Sequence, residues 1–221
     1  MAVTRAAGIL IGLAFSALVA GTGPTHAASQ RITIGEVSAL IPGGCQPARR
    51  NTHASEGIEC SWRSENGTVE TIRLFRSVKK NHPISREIAE DEERSGKRGI
   101  PNGALHYGLP AYLVSRAIAS GLPPEVVLPK GFTAENASYD DTPGPGPNKM
   151  YGYCMVLEAR AHTAQTAMES ATLYCGAVGR NPRDLLIVGV TVSVAHDAGT
   201  KPPKDFTNRS RAVFNSMTVK R

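Results

Sequence analysis

The alternation of apolar and polar residues predicts a β-hairpin over residues 57–76. Two alternating segments in this range flank the dipeptide Asn66-Gly67. Both central positions of a tight hairpin turn need positive φ, so Asn-Gly between alternating segments is a strong hairpin signal. Trp62, the only tryptophan of the chain, lies on the first strand and is expected in the core.

A second strand pair is predicted between residues 150–160 and 168–180, which are joined by residues 161–167. An antiparallel register that sets one cysteine against another also sets an apolar pair and an opposite-charge pair face to face. These pairs are Cys154 with Cys175, Val156 with Leu173, and Arg160 with Glu169. Such cross-strand pairs stabilise a ladder. The β-branched run 185–195 predicts a further strand, buried on at least one face.

Two helices are predicted from 3.6-residue periodicity and capping residues. The first spans residues 81–96, with Asn81 as its cap and Gly96 at its end. Its acidic run, Glu90 to Glu93, is interpreted as a solvated face because successive helical side chains point in different directions. The second helix begins after Asp205, and the chain then ends in a short strand. The apolar stripe of this helix is Phe206, Val213, Phe214 and Met217.

Proline and glycine are concentrated between residues 120 and 147. A stretch of this length is either a mobile surface loop or a binding loop, and its composition favours the plain loop. Short strands are also predicted earlier in the chain, at 31–35 and 111–115. The expected fold is thus α+β, with an antiparallel sheet packed by two helices.

The first 28 residues have the pattern of a cleavable secretory signal. Arg5 precedes an apolar run from Ala6 to Ala20, and small residues follow at Ala27 and Ala28. About 15 apolar residues are too few for a bilayer, which needs roughly 20. We therefore expect a signal peptide at 1–28, a single domain at 29–221 with no transmembrane segment after cleavage, and a periplasmic or secreted protein.

All four cysteines lie beyond the signal segment, at Cys45, Cys60, Cys154 and Cys175. An even number of cysteines in an oxidising compartment predicts disulfides. The sequence favours two local bridges, Cys45 with Cys60 and Cys154 with Cys175, and leaves the other connectivities open. A metal site is disfavoured because no C-x-x-C occurs and His53 is not suitably spaced from the cysteines. No metal or cofactor is therefore expected.

Formal charge is +6, from 25 Lys and Arg against 19 Asp and Glu. The excess is concentrated near the C-terminus, where only Asp205 opposes six cations: Lys201, Lys204, Arg209, Arg211, Lys220 and Arg221. A solvated helix face is the favoured interpretation, with weak contact to an anionic surface as the alternative. A nucleic-acid partner is not expected, since no basic stripe is interleaved with aromatic residues.

A predicted strand includes Gly108-Leu-Pro-Ala-Tyr-Leu-Val114, and in Phe214-Asn-Ser-Met-Thr-Val-Lys220 a helix runs into a final strand. These two segments resemble the PsbP/Mog1-like families. The resemblance implies a sheet packed on one side by helices, in families known more for binding and assembly than for catalysis. It covers about a tenth of the chain and carries over no catalytic residue.

Enzymatic motifs such as G-x-S-x-G and H-E-x-x-H are missing from the sequence. The first hypothesis is an exported, non-enzymatic protein that binds another protein, a small ligand or an envelope component through its sheet face or the 120–147 loop. The second is a hydrolase with an unrecognised site, for which His106 and His162 are the candidate bases. The third is binding to an anionic envelope surface through the basic segment, with Lys201, Lys204, Arg209 and Arg211.

Overall fold

The computed structural model describes residues 29–43, 46–63, 68–96, 112, 123–127, 132–140, 145–146 and 150–220. Eleven strands and two helices lie within these residues. The strands are β1 (Gln30–Ile34), β2 (Val37–Ile41), β3 (Ala48–Arg49), β4 (Glu56–Arg63), β5 (Val69–Lys79), β6 (Thr133–Asp140), β7 (Pro145–Gly146), β8 (Met150–His162), β9 (Thr166–Val178), β10 (Leu185–Asp197) and β11 (Thr218–Val219). The helices are α1 (Pro83–Ser95) and α2 (Phe206–Ser216).

The strands form two sheets, and all of their pairings are antiparallel. The larger, eight-stranded sheet has the order β3-β4-β5-β10-β9-β8-β6, with β7 also paired to β8. The smaller sheet has the order β1-β2-β11. The described part of the chain is therefore mainly β. This corrects the expected balance of an α+β fold with one sheet, while the antiparallel strands and the two helices were predicted.

The predicted register between β8 and β9 is confirmed. Cys154 lies opposite Cys175, and these two residues form a disulfide. The apolar and charged pairs lie opposite one another in the same register, and Arg160 Nε is 3.6 Å from Glu169 Oε1. The predicted hairpin is also present, as β4 paired with β5.

Strand β10 lies at the centre of the large sheet, between β5 and β9, and is buried on both faces as far as Val192. Its Gly189 lies opposite Phe75 on β5 and Tyr174 on β9. A Cβ on Gly189 would come within 2.3 Å of Phe75 Cζ and 2.4 Å of the Leu173 carbonyl oxygen. Glycine is required here because the Phe75 ring lies over its backbone.

Each face of the large sheet carries its own core. On the first face, the small sheet and α2 cover Ile72, Leu74, Val190 and Val192. On the second face, Ile88 of α1 and Val126 belong to a cluster with Phe75 and Tyr174. Glu125, beside Val126, is fully buried, where it accepts a hydrogen bond from the Tyr174 hydroxyl at 3.1 Å.

The small sheet includes a strand, β2, that the sequence pattern did not indicate. Gly35 and Glu36 form a two-residue turn between β1 and β2, and Gly35 has φ of 56°. A glycine with positive φ at the first turn position is the pattern of a type II′ hairpin, whose twist matches that of the strands. Strand β11 then pairs with β2 on its other side.

Helix boundaries agree with expectation except at the start of α1. This helix begins at Pro83 after His82, and Asn81 is instead a turn residue with φ of 50°. Gly96 ends the helix in the left-handed conformation, as predicted. Helix α2 follows Asp205 and buries Phe206, Val213 and Phe214 of the predicted stripe, whereas Met217 lies just after the helix in an extended conformation and is also buried.

Part of the segment predicted as a loop is a strand, because Thr133–Asp140 forms β6 and pairs with β8. The strand predicted at 111–115 is wrong at its one described residue, since Tyr112 is helical.

Other expectations fall outside the described residues: the signal peptide at 1–28, Cys45, and His106. The single-domain organisation stays a prediction. No helix among the described residues is long and apolar enough to cross a membrane.

Candidate functional site

The structure brings together two of the four cysteines predicted as disulfide-bonded. Cys154 and Cys175 form a bridge with their Cα atoms 4.1 Å apart. Cys60 is buried on β4, and its predicted partner Cys45 lies outside the described residues. The pairing of Cys45 with Cys60 therefore stays a prediction.

The candidate general bases are not brought into a described catalytic arrangement. His162 is exposed at the end of β8, opposite Ala167 and Thr133, and His106 lies outside the described residues. Within the described ranges, no three His, Cys, Asp or Glu side chains are grouped so that they could hold a metal ion.

The basic C-terminal segment is divided by the fold. Lys201, Lys204 and Arg211 are exposed. Arg209 instead turns toward the large sheet, where its Nη2 donates to Glu70 Oε1 at 2.7 Å, and its Nη1 donates to Asp205. One of the four cations proposed for an anionic surface is therefore engaged by two carboxylates.

This ion pair lies in an apolar groove of about 210 Å³ where α2 and β2 meet the first face of the large sheet. We refer to it as the Trp62 groove. Its lining combines apolar residues with one partly buried ion pair and two serines. The lining residues are Ser29, Leu40, Ile41, Pro42, Trp62, Glu70, Ile72, Val192, Arg209, Ala212, Val213 and Ser216.

Strand register sets the floor of the groove. Trp62 on β4 lies directly opposite Glu70 on β5, so the two side chains share a face. One row further along, Ile72 on β5 lies opposite Val192 on β10. Alternation along β5 places Glu70 and Ile72 on the same side of the sheet. One half of the groove floor is therefore apolar, and the other half carries the Glu70 carboxylate.

Helical spacing sets the second wall. Arg209, Ala212, Val213 and Ser216 are separated by three, four and seven positions, so they follow one side of α2. Val213 is buried against the core, which fixes the rotation of the helix about its axis. That rotation directs Arg209 toward Glu70.

Leu40 forms the outer wall and remains 37% exposed. Its backbone N–H donates to Ser216 Oγ at 2.8 Å, at a point on β2 beyond the residues that pair with β11. Leu40 pairs with Arg31 of β1, and among the described residues no strand lies beside it on its other edge, where the serine hydroxyl bonds its backbone and joins β2 to the end of α2. An exposed leucine and a half-buried tryptophan at one groove leave apolar surface available to a ligand.

The electrostatics of the groove depend on one guanidinium and two carboxylates. The Glu70 side chain is 9% exposed, the Arg209 side chain 31%, and the Asp205 side chain 62%. The hydrogen bond from Arg209 holds the pKa of Asp205 below its ordinary value. Arg209 therefore compensates the buried Glu70, and the Asp205 carboxylate adds a second negative charge on the same cation.

A second cavity, of about 360 Å³, lies where the β1–β2 turn meets the other end of the sheet. Its charged side chains are largely engaged with one another. Arg76 Nη2 is 3.0 Å from Glu36 Oε2, and Lys80 Nζ is 2.8 Å from Asp184 Oδ2. These pairs fasten the turn and the start of α1 to the sheet, so the Trp62 groove is the stronger candidate site.

The sequence pattern placed Trp62 in the core and Arg209 in a basic surface segment, and it did not bring the two residues together. It gave no indication of Glu70 or Leu40. The pairing of β4 with β5 was predicted, but not the register that places the tryptophan opposite a carboxylate.

No protein-family model matches this sequence, and comparison with curated proteins likewise found no match. The proposed function therefore rests on the geometry of the groove.

Proposed function

We propose that this protein is an exported, non-enzymatic binding protein that holds the apolar part of a ligand in the Trp62 groove. The observation that carries the proposal is the combination of exposed Leu40, half-buried Trp62 and the partly buried Glu70–Arg209 pair in one concave site. Ligand sites are typically apolar concavities with a few fixed polar groups. Export rests on the signal pattern of residues 1–28.

The size of the groove limits what it can hold. Its volume of about 210 Å³ is below the roughly 300–1,000 Å³ of pockets for drug-sized ligands. An apolar cavity of about 150 Å³ is enough to take up benzene. The groove therefore suits one ring or a short branched chain, with the rest of a larger ligand remaining outside.

The polar groups of the groove favour holding a ligand over transforming one. Glu70 and Arg209 are bonded to each other, and this contact fixes both side chains at the interface between the sheet and α2. Fixed polar groups beside an apolar floor orient a ligand.

Trp62 provides a direct test, because it is the only tryptophan in the chain and lines the groove. Titration with the neutral probe cyclohexylmethanol should change its fluorescence saturably, with a Kd that is roughly millimolar for a ligand of this size. The variant Ala212→Phe, which fills the groove from α2, should abolish the change. Thr207→Phe, at an exposed α2 position outside the lining, is the matched control.

Binding that survives Ala212→Phe, or no response to the probe up to its solubility limit, would remove the groove as the ligand site. The export part of the proposal has a separate test. The intact mass of protein purified from its own source should correspond to a chain that lacks about the first 28 residues. A full-length mass would contradict export by cleavage.

A further inference from the structure

We propose that the Trp62 groove selects a small organic cation, an amine whose ammonium group approaches Glu70 while its apolar body lies against Ile72, Val192 and Val213. This inference rests on the proposed function and specifies the chemical class of the ligand. It follows from the two carboxylates around Arg209, of which Glu70 lines the groove and Asp205 lies beyond it, and from the indole beside Glu70.

Charged side chains are grouped around Arg209 at one end of the groove. Arg209 is the guanidinium that lines the groove, and it contacts both Glu70 and Asp205. Two carboxylates around one cation leave a net charge of −1. Bringing an ammonium group to this cluster restores balance, whereas a ligand carboxylate would add repulsion.

Glu70 has an oxygen atom that can still accept a hydrogen bond from a ligand. An ionised carboxylate has two oxygens with about four lone-pair positions. Glu70 Oε1 accepts from Arg209 Nη2, and among the described residues no donor is bonded to Glu70 Oε2. This oxygen remains able to accept a charge-assisted hydrogen bond, which is roughly twice as strong as a neutral one.

Trp62 lies close to the place where a bound cation would be held. It lies opposite Glu70 in the β4–β5 ladder, so a cation at the carboxylate comes near an indole ring. The faces of tryptophan attract cations, most strongly where water is partly excluded. A carboxylate and an indole that are adjacent on one sheet face both favour a cationic group.

The size of the groove favours a small amine over a protein segment. The volume of about 210 Å³ holds one ring and its ammonium group. Along β2, the backbone N–H of Leu40 is already bonded to Ser216, so it is not available to an added strand.

Three isosteric probes separate this inference from the proposed function. They are cyclohexylmethylamine, cyclohexylmethanol and cyclohexanecarboxylate, which differ in charge but share the same ring. Each is titrated against the mature protein with Trp62 fluorescence as the readout. The titrations are run at about pH 9, because cleavage next to Ser29, which lines the groove, creates a terminal amino group that would cancel the net charge of −1 below its pKa of about 8.

The amine is expected to bind about fivefold or more tightly than the alcohol, and the carboxylate more weakly than the alcohol. Added salt should reduce the preference for the amine and leave the affinity of the alcohol nearly constant. In Glu70→Gln, which removes the charge and keeps the shape, the ratio of the two affinities should fall to about one. If this variant does not fold, the salt titration of the wild-type protein still decides the question.

Equal affinities for amine and alcohol, or tighter binding of the carboxylate, would overturn the cation preference and leave the groove as a binding site. A preference for the amine that is unchanged by salt would also overturn the electrostatic explanation. Failure of all three probes to bind would remove both the inference and the site of the proposed function.

Discussion

Trp62 and Glu70 lie directly opposite one another on β4 and β5, so the only tryptophan of the chain shares a sheet face with a buried carboxylate. The same carboxylate accepts a hydrogen bond from Arg209, which is 139 positions away in the sequence. The Glu70 side chain is thus positioned both by the pairing of β4 with β5 and by the packing of α2. The groove depends on both of these contacts.

Breaking the Glu70–Arg209 pair should destabilise the protein. Arg209→Met leaves a carboxylate of 9% exposure without its cation, and we expect a loss of about 1–3 kcal/mol in the free energy of unfolding. Arg211→Met, at an exposed position on the same helix, should change it by less than about 0.5 kcal/mol. Urea denaturation measures both. The double variant Glu70→Gln with Arg209→Met should be more stable than Arg209→Met alone, because it removes the uncompensated charge.

The Cys154–Cys175 bridge should stabilise the β8–β9 hairpin by restricting the unfolded chain. The two cysteines are 21 positions apart. A loop of this size predicts a contribution of about 3 kcal/mol in the chain-entropy model. Replacing both residues with alanine should lower the free energy of unfolding by about this amount, measured by chemical denaturation. A loss below about 1 kcal/mol would contradict a stabilising role.

Gly189 should tolerate no side chain. A Cβ at this position would overlap Phe75 Cζ and the Leu173 carbonyl oxygen at the centre of the large sheet. We expect Gly189→Ala to cost at least about 1–3 kcal/mol, the usual cost of overpacking a core. Ser193→Ala, at a half-buried position of the same strand, is the matched control. Thermal unfolding of both variants checks this, and equal melting temperatures would show that the Phe75 ring can move aside.

The Asp184 carboxylate should make stability depend on pH in the acidic range. The hydrogen bond from Lys80 to Asp184 Oδ2, supported by the backbone N–H of Asn81, holds the pKa of this carboxyl below its ordinary value. A carboxyl with a depressed pKa in the folded state contributes stability above its unfolded pKa, about 4. That stability is lost as the pH falls through the folded value.

Asp184→Asn should therefore flatten the decline in stability between about pH 5 and about pH 2. Lys80→Met removes the main cause of the shift and should flatten the same range. Urea denaturation at several pH values measures the effect. If both variants keep the wild-type slope, the Lys80–Asp184 contact does not contribute to acid sensitivity.

The sequence predicted the β8–β9 pair down to its register because three independent signals coincided there. A cysteine pair, an apolar pair and a charge pair all required the same alignment, and the structure has that alignment. The apolar stripe of α2 was similarly predictable, since 3.6-residue periodicity is a local property.

The groove could not be predicted because it depends on a register and on a distant contact. A two-residue turn at Asn66-Gly67 would set Arg63 opposite Glu70, whereas the observed register sets Trp62 there. A shift of one residue moves a side chain to the other face of the sheet. The contact of Arg209 with Glu70 also requires α2 to pack on the sheet in one orientation, which no local pattern encodes.

Strand β6 was missed for a different reason. Proline and glycine at both ends of the 120–147 stretch obscured a strand that is stabilised by pairing with β8. Strand propensity depends on tertiary context more than helix propensity does.

The most direct test of the Trp62 groove as a ligand site is to locate a bound probe on the protein by NMR. Amide and methyl NMR spectra of the mature protein are recorded during titration with cyclohexylmethanol. The account predicts saturable shifts concentrated at Leu40, Trp62, Ile72, Val192 and Val213, with little change around the cavity at Glu36 and Asp184. Shifts centred on any other surface, or no shifts at saturating probe, would contradict the claim that the Trp62 groove is a ligand site.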